Sequence, residues 1–451
     1  MFAFYDFETT GTSPKYDQPL QFAAILTDDD LNPVERINIR CRLAPHIIPA
    51  PWAMAVTGVT PEMLTDGTLP SWFEFTQSLR EIIRRWAPAT WTGYNSLAFD
   101  EQFFRQSFFQ CLQPNFYETQ FNGNQRLDVM KVVFSCWELA RDVLEWPLDD
   151  HGRQSFKLDR LAPANGFTQH AAHDALGDVE ATIHIVRRIK EGAPEVWAQC
   201  LANRSKHQVN ALLETGQPLR LVERFGARPP RSYFGCLCGR SPDNPNSVGF
   251  YDLDGGDPTV LMEGANDAVM AAVSASPKRI RTVAVNNVPS LFEKEPVDPL
   301  HKARAALIAA RPDFHIRVGK ALAGRYADAE RSEHVEDQIY DGFYSNADRV
   351  LLDELQTASW ERRAELRQMF EDERLRRLAL RLLFLEAPQH LRDDERIMIN
   401  DALQGRWRHA GDAEWTTLAD AEHQLVEIED ARTVEPKAVR ELRQFYQRFG
   451  V

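Results

Sequence analysis

Residues 2–11 read FAFYDFETTG, an apolar, aromatic-rich run interrupted by two acids, Asp6 and Glu8. The composition predicts a β-strand. Residues i and i+2 of a strand point to one face, about 7 Å apart. Two carboxylates aimed at one point repel each other unless a cation sits between them. Burying both unpaired would cost several kcal/mol. Hard divalent ions prefer such oxygen ligands. A D-x-E pair is by itself commonly solvated surface; its setting in an apolar strand at the expected sheet centre singles it out. Gly11 lets the backbone turn away sharply and lets a substrate approach closely.

Outward from this strand, QPLQFAAILTD (18–28) and NPVERINIRCRLAP (32–45) read as the next two strands of an antiparallel run. SWFEFTQSLREIIRRWA (71–87) has apolar residues at helical spacing. ATWTGYN (89–95) is a short buried strand, followed by helices in FDEQFFRQSFFQCL (99–112) and LDVMKVVFSCWEL (127–139). HDALGDVEATIHIVRRIKEG (173–192) carries the apolar stripe Leu176, Val179, Ile183, Val186 and Ile189 and ends in basic residues and Gly192, as helices prefer. Strands alternating with helices indicate an α/β domain over 1–192.

Beyond Gly192 the character changes. A helical segment at about 194–214 precedes the turn-rich stretches RPPRSYFG, GRSPDNPNS and DLDGGDPT. SVGFYDL and TVLM flank the DGGD turn and resemble a hairpin. RIRTVAVNNVPSLF (279–292) adds a strand, and a helical stretch over 299–331 breaks at Pro312. The second domain, 193–332, therefore reads as β-rich with helical additions. From 333 to 451 the pattern is helical, with Leu366, Phe370, Leu375, Leu378 and Leu382, then Val439, Leu442, Phe445 and Phe449, at near-helical spacing.

The chain has 451 residues, too many for one ordinary core. No apolar stretch approaches the roughly 18 residues that span a bilayer. The N-terminus lacks a basic leader, so no secretory signal, no membrane partner and a cytoplasmic location are expected. The six cysteines are scattered; Cys236 and Cys238 lack the second pair of a tetrahedral zinc site and read as strand cysteines facing one way. The formal net charge of −14 weighs against general affinity for nucleic acid. It does not exclude a local basic groove.

Two further motifs join the first pair. In TGYNSLAFDEQFF (92–104) Asp100 follows a strand and starts a helix, a position that also suits a helix cap. In HAAHDALGDVE (170–180) His173 precedes a helix, Asp174 is its natural N-cap, and Asp178 lies beside the apolar stripe. The order D-x-E, N-x-x-x-F-D, H-x-A-x-x-D, with VTGVTPEML (56–64) between the first two, resembles the DEDDh exonuclease superfamily. DFETTGTSP, TGYNSLAFDE, SFKLDRLAPANG (155–166), AHDALGDVEATI and the distant QIYDGFYSNADR (338–349) are similar to the exodeoxyribonuclease I family, over essentially the whole chain.

The resemblance implies three parts: a ribonuclease-H-like α/β nuclease domain, a small SH3-like β domain and an all-α C-terminal domain. It implies processive 3′→5′ hydrolysis of single-stranded DNA to 5′-mononucleotides, in repair or recombination. Asp6, Glu8, Asp100 and Asp178 carry over as ligands of two Mg²⁺ ions (Mn²⁺ as an alternative), with His173 as general base. Asp6 and Asp178 then bind one or both ions, Glu8 holds the ion near the attacking water, and Asp100 acts through a water. Glu8, Thr9, Phe99, Lys157 and Lys206 are the expected substrate contacts. Lys157 stands where the family is expected to carry Arg, which grips a phosphate with two parallel bonds where Lys offers a point charge. A monomer is expected, and family logic also allows docking to single-stranded-DNA-binding protein. An exoribonuclease or proofreading nuclease of the same superfamily, or a non-catalytic DNA-binding scaffold, are the rival readings.

Overall fold

The computed structural model describes residues 1–168, 174–293, 296–324, 331–432 and 434–449. The first sheet holds β1 (Phe2–Thr9), β2 (Pro19–Thr27), β3 (Pro33–Arg40), β4 (Thr90–Gly93) and β5 (Gln125–Asp128), in the order β3-β2-β1-β4-β5. β1–β3 form the antiparallel run read from the sequence, and β4 and β5 add in parallel. β2 is buried along its whole length, whereas the edge strand β3 is largely exposed to solvent.

Alternation along β1 splits the core in two. Ala3, Tyr5 and Phe7 enter one hydrophobic cluster, and Phe2 and Phe4 enter the other. The second cluster is capped by the Ala175–Gly192 helix through Val179, Ile183, Val186 and Ile189, with Leu176 partly buried at its edge. Asp6 and Glu8 share the face of Phe2 and Phe4, so β1 presents them towards that helix. Val196, Trp197 and Cys200 of the Pro194–Ala202 helix also join this cluster.

The strand β5 is absent from the sequence expectations. It is only four residues long and runs straight into the Val129–Leu139 helix, capped by Asp128. The period of two has no room to show before the helical period begins.

A second, antiparallel sheet contains β6 (Leu219–Glu223), β7 (Arg231–Arg240), β8 (Ser247–Asp252), β9 (Ile280–Ala284) and β10 (Leu291–Glu293), in the order β10-β6-β7-β8-β9. Two expectations are corrected here. TVLM is not the second strand of a hairpin: Thr259–Glu263 is a short helix that buries Leu261 and Met262, and β8 pairs with β9 instead. A four-residue apolar run carries no period that separates strand from helix. Most of RPPRSYFG is the start of β7 rather than a turn. Its Gly235 serves close packing, since a Cβ there would fall 2.4 Å from the Tyr251 carbonyl oxygen. Cys236 and Cys238 are strand cysteines buried in one cluster, as read.

The C-terminal helices pack Leu366, Phe370, Leu375, Leu378, Leu382, Val439, Leu442 and Phe445 into the same cluster that holds Tyr5, Phe7 and Phe104. Tyr446 donates its hydroxyl hydrogen to the Pro49 carbonyl (2.8 Å), and Arg381 reaches Gln110 (2.9 Å) and Glu336 (2.8 Å). Among the described residues no helix is long and apolar enough to cross a membrane.

Candidate metal centre

Three carboxylates converge where β1 meets the Ala175–Gly192 helix. Asp6 and Glu8 project from β1, and Asp178 from the first turn of the helix. One oxygen from each lies within 4.8 Å of the others.

Asp100 reaches the same place from the other side of β1. It is the first residue of the Asp100–Gln110 helix, preceded by Phe99 at the cap position, so it is not the cap. The neighbouring strand β4 stops at Gly93, which leaves the later backbone amides of β1 without a partner on that side. The Asp100 carboxylate takes one of them: Phe7 N–H donates to Oδ1 at 3.0 Å. That bond places Asp100 beside the residue between Asp6 and Glu8.

The charges act on one another. Burial, then Asp100, Asp178 and Glu8, push the Asp6 carboxyl well above the usual range. Burial, Asp178 and Asp100 push Glu8 up to about 8, against the pull of Arg40. Asp100 is pushed up to about 8 by burial, with Asp128 and Asp178 adding to it, although it accepts backbone hydrogen bonds that oppose the shift. Asp174 also raises Asp6 and Glu8. Four buried or half-buried acids with all-oxygen donors and mutual repulsion are chemically matched to hard divalent cations.

Asp128 and Arg40 were not singled out by sequence reasoning. Asp128 accepts N–H bonds from Asn95 (3.0 Å), Leu97 (3.2 Å) and Met130 (2.9 Å) and so holds the loop that delivers Asp100. Its Asx pattern at a helix start was the available signal. Arg40 pairs with Gln21 across β3 and β2, and Gln21 pairs with Glu8, which sets an arginine in line with the carboxylates.

His173 lies outside the described residues. Thr9 is buried, and its hydroxyl donates to the Gly11 carbonyl at 2.7 Å. Gly11 packs against Asp17, whose carboxylate a Cβ would meet at 2.4 Å; close packing accounts for this glycine. Phe99 is half-buried against Phe103 (5.0 Å), while Phe103 and Phe104 are core residues. Lys157 is exposed at the start of the Leu158–Ala164 helix. Lys206 is exposed at the start of the Lys206–Glu214 helix. Its neighbour Arg204 bonds to the Thr90 hydroxyl and to Leu201 O (2.9 Å), at the Phe2 end of β1 and away from Glu8.

A mixed sheet in this order, with two acids of its central strand joined by one from each of two helices, defines a nuclease of the exonuclease class. Residues 3–186 match the family model described as Exonuclease, and residues 333–449 match Exonuclease I C-terminal domain. Exodeoxyribonuclease I of Haemophilus influenzae is 31% identical over 417 residues, 86% of each chain. The solved structure of Escherichia coli exonuclease I in complex with a 5cy-dT13 oligonucleotide superposes with a TM-score of 0.83 at 25% identity, over 99% of both chains. A structure of SSB/exonuclease I in complex with an inhibitor gives 0.83 at 26% identity, over 99% of both chains. The chain belongs to the exodeoxyribonuclease I family.

Proposed function

We propose that the protein degrades single-stranded DNA from its 3′ end and releases 5′-mononucleotides, processively. The observation that carries this is the approach of Asp6, Glu8 and Asp178 to within 4.8 Å, with Asp100 tied to the strand between them. The oligonucleotide complex of the Escherichia coli relative supports the substrate. The SSB assembly supports single-stranded-DNA-binding protein as a partner.

Asp6, Glu8, Asp100 and Asp178 would hold two Mg²⁺ ions, which supply Lewis-acid charge at the scissile phosphate. The protein's own residues do the rest. His173 takes the proton from the attacking water, since an unperturbed imidazole titrates near neutrality. Asp128 holds the Asp100 loop in place. Arg40 and Lys157 offer positive charge to the phosphates, and Phe99 a face to a base. The domains run 1–192, 193–332 and 333–451, the middle one SH3-like around its antiparallel sheet, and the chain acts as a monomer.

Incubation with 5′-labelled single-stranded DNA, duplex DNA and RNA, each with Mg²⁺ or EDTA, tests the proposal. Progressive shortening of the single-stranded DNA alone, abolished by EDTA, is expected. Metal-independent cleavage or equal attack on RNA would overturn it.

A further inference from the structure

One cation beside the carboxylates is left over. Arg40 is the last residue of β3, and the register of β3, β2 and β1 sets Arg40, Gln21 and Glu8 in one row across the sheet. Two strand spacings, about 10 Å, separate the ends of this row. The polar residues before Arg40 on the same face are already engaged. Arg36 pairs with Glu180 of the Ala175–Gly192 helix, and Asn38 accepts a hydrogen bond from Gln21 Nε2 at 2.8 Å. The Arg40 guanidinium is half-buried and makes no hydrogen bond or ion pair among the described residues. Its field is felt at Glu8, across Gln21.

That attraction does not outlast the filling of the site. Two divalent ions would cancel the charge of four carboxylates, which leaves Arg40 as a surplus positive charge beside a neutral centre. A guanidinium with free donors matches a phosphate, which it grips with two parallel bonds.

Topology selects the phosphate. The sheet order is β3-β2-β1-β4-β5, so Arg40 and Asp100 approach β1 from opposite sides. The second domain stands beyond β5, where Arg126 donates to the Asn286 carbonyl (3.0 Å) and Lys131 to the Asn287 carbonyl (2.7 Å). β3 is the opposite edge and is largely exposed. On the single-stranded-DNA reading above, a strand running in along the second domain reaches the carboxylates from the β4–β5 side. Its last nucleotide then lies towards β3, past the last internal phosphate. What can meet Arg40 there is a phosphate on the 3′ oxygen of the terminal nucleotide.

We infer that Arg40 admits strands whose 3′ end carries a phosphate, so that the enzyme trims such blocked ends by removing the terminal nucleotide whole. This role rests on the single-stranded-DNA reading and adds a substrate class to it. The step consumes one water. The water oxygen joins the 5′ phosphorus of the terminal nucleotide, the bond from that phosphorus to the penultimate 3′ oxygen breaks, and that oxygen takes up a proton. The products are a deoxynucleoside 3′,5′-bisphosphate and a strand with a free 3′-hydroxyl.

The test compares single-turnover hydrolysis, in Mg²⁺, of two 5′-labelled oligothymidylates of about ten nucleotides, one ending in a 3′-hydroxyl and one in a 3′-phosphate. Wild type is expected to shorten both, with first-step rates within about threefold of each other. In Arg40→Gln the rate on the 3′-phosphate is expected to fall about tenfold or more relative to the rate on the 3′-hydroxyl, and Arg40→Lys should recover part of it. Titration calorimetry gives a readout without turnover. Wild type should bind thymidine 3′,5′-bisphosphate about tenfold more tightly than thymidine 5′-monophosphate, and Arg40→Gln should bind the two alike. A wild-type enzyme that shortens the 3′-hydroxyl strand and leaves the 3′-phosphate strand intact overturns the inference and spares the proposed activity. An unchanged ratio of the two rates in Arg40→Gln also overturns the inference. An Arg40-dependent preference for the bisphosphate, with neither strand hydrolysed, supports the site and overturns the activity.

Discussion

The backbone N–H of Phe7 donates to the carboxylate of Asp100 at 3.0 Å, from the one position between Asp6 and Glu8. A strand amide thereby fixes the fourth acid against the two on its own strand. Asp100→Ala should remove both a ligand and this bond. Turnover should fall by about two orders of magnitude or more, while binding of single-stranded DNA in EDTA is kept. Single-turnover hydrolysis beside anisotropy separates the two.

Asp6→Asn should abolish activity and yet stabilise the metal-free protein. The Asp6 carboxyl is held well above its usual range by burial and by Asp100, Asp178 and Glu8, so the charged form is a strained one. Relieving about 1 kcal/mol should raise Tm in EDTA by about 1 °C. A fall in Tm would show that the acids are not repelling one another.

The same shifts set a pH dependence. Glu8 rises from 4.5 and Asp100 from 3.8, each to about 8, so the native state keeps protons that the unfolded chain has released. Stability falls with pH wherever the native state binds more protons. Metal-free Tm should therefore decline from about pH 4 to about pH 8 on account of these groups. Mg²⁺ competes with those protons, so its stabilising increment should grow over the same range and its binding at pH 7 should release protons. Scanning calorimetry with Mg²⁺ or EDTA, and titration calorimetry in buffers of different ionisation enthalpy, read the two effects.

Asp128→Ala should act at a distance from the phosphate. It frees three backbone N–H groups and loosens the loop that carries Asp100. A loss of about 1–3 kcal/mol in stability is expected, with kcat lowered more than KM is raised. Denaturant melts and steady-state kinetics check it.

Glu336 offers a control remote from the carboxylate site. Burial would raise its carboxyl, but Arg381 and Arg406 outweigh it and hold the group down to about 2. This ion cluster contributes stability above about pH 4.5 that is lost as pH falls towards 2. Glu336→Gln leaves two partly buried guanidinium groups without their carboxylate and should cost up to about 3 kcal/mol. Equilibrium unfolding at neutral pH is the measurement.

Much of this was legible in the chain because it is written in local periods. The strand with Asp6 and Glu8, the stripe from Val179 to Ile189 and the final helices all show their burial pattern in sequence. What escaped was non-local or too short. The Phe7–Asp100 bond depends on β4 ending early, which no local pattern records. Asp128 hides because a four-residue strand precedes a helix with no break. β7 was obscured by prolines at its entrance and by glycines that serve close packing. The Tyr340–Phe343 segment carries part of the family resemblance, but only the structure sets it opposite Phe116 and Tyr117.

The shared hydrophobic cluster has a consequence for biosynthesis. Its members come from residues up to Leu112 and then from Val335 onwards, with the whole second sheet encoded in between. The Trp72–Trp86 and Asp100–Gln110 helices cover this cluster's face of the first sheet, but their own outer apolar positions stay bare until the last helices leave the ribosome. During translation the nuclease lobe waits, apolar side bare, for its own C-terminus. A chain cut short before residue 333 should therefore be a substrate for chaperones and proteases rather than a smaller working enzyme.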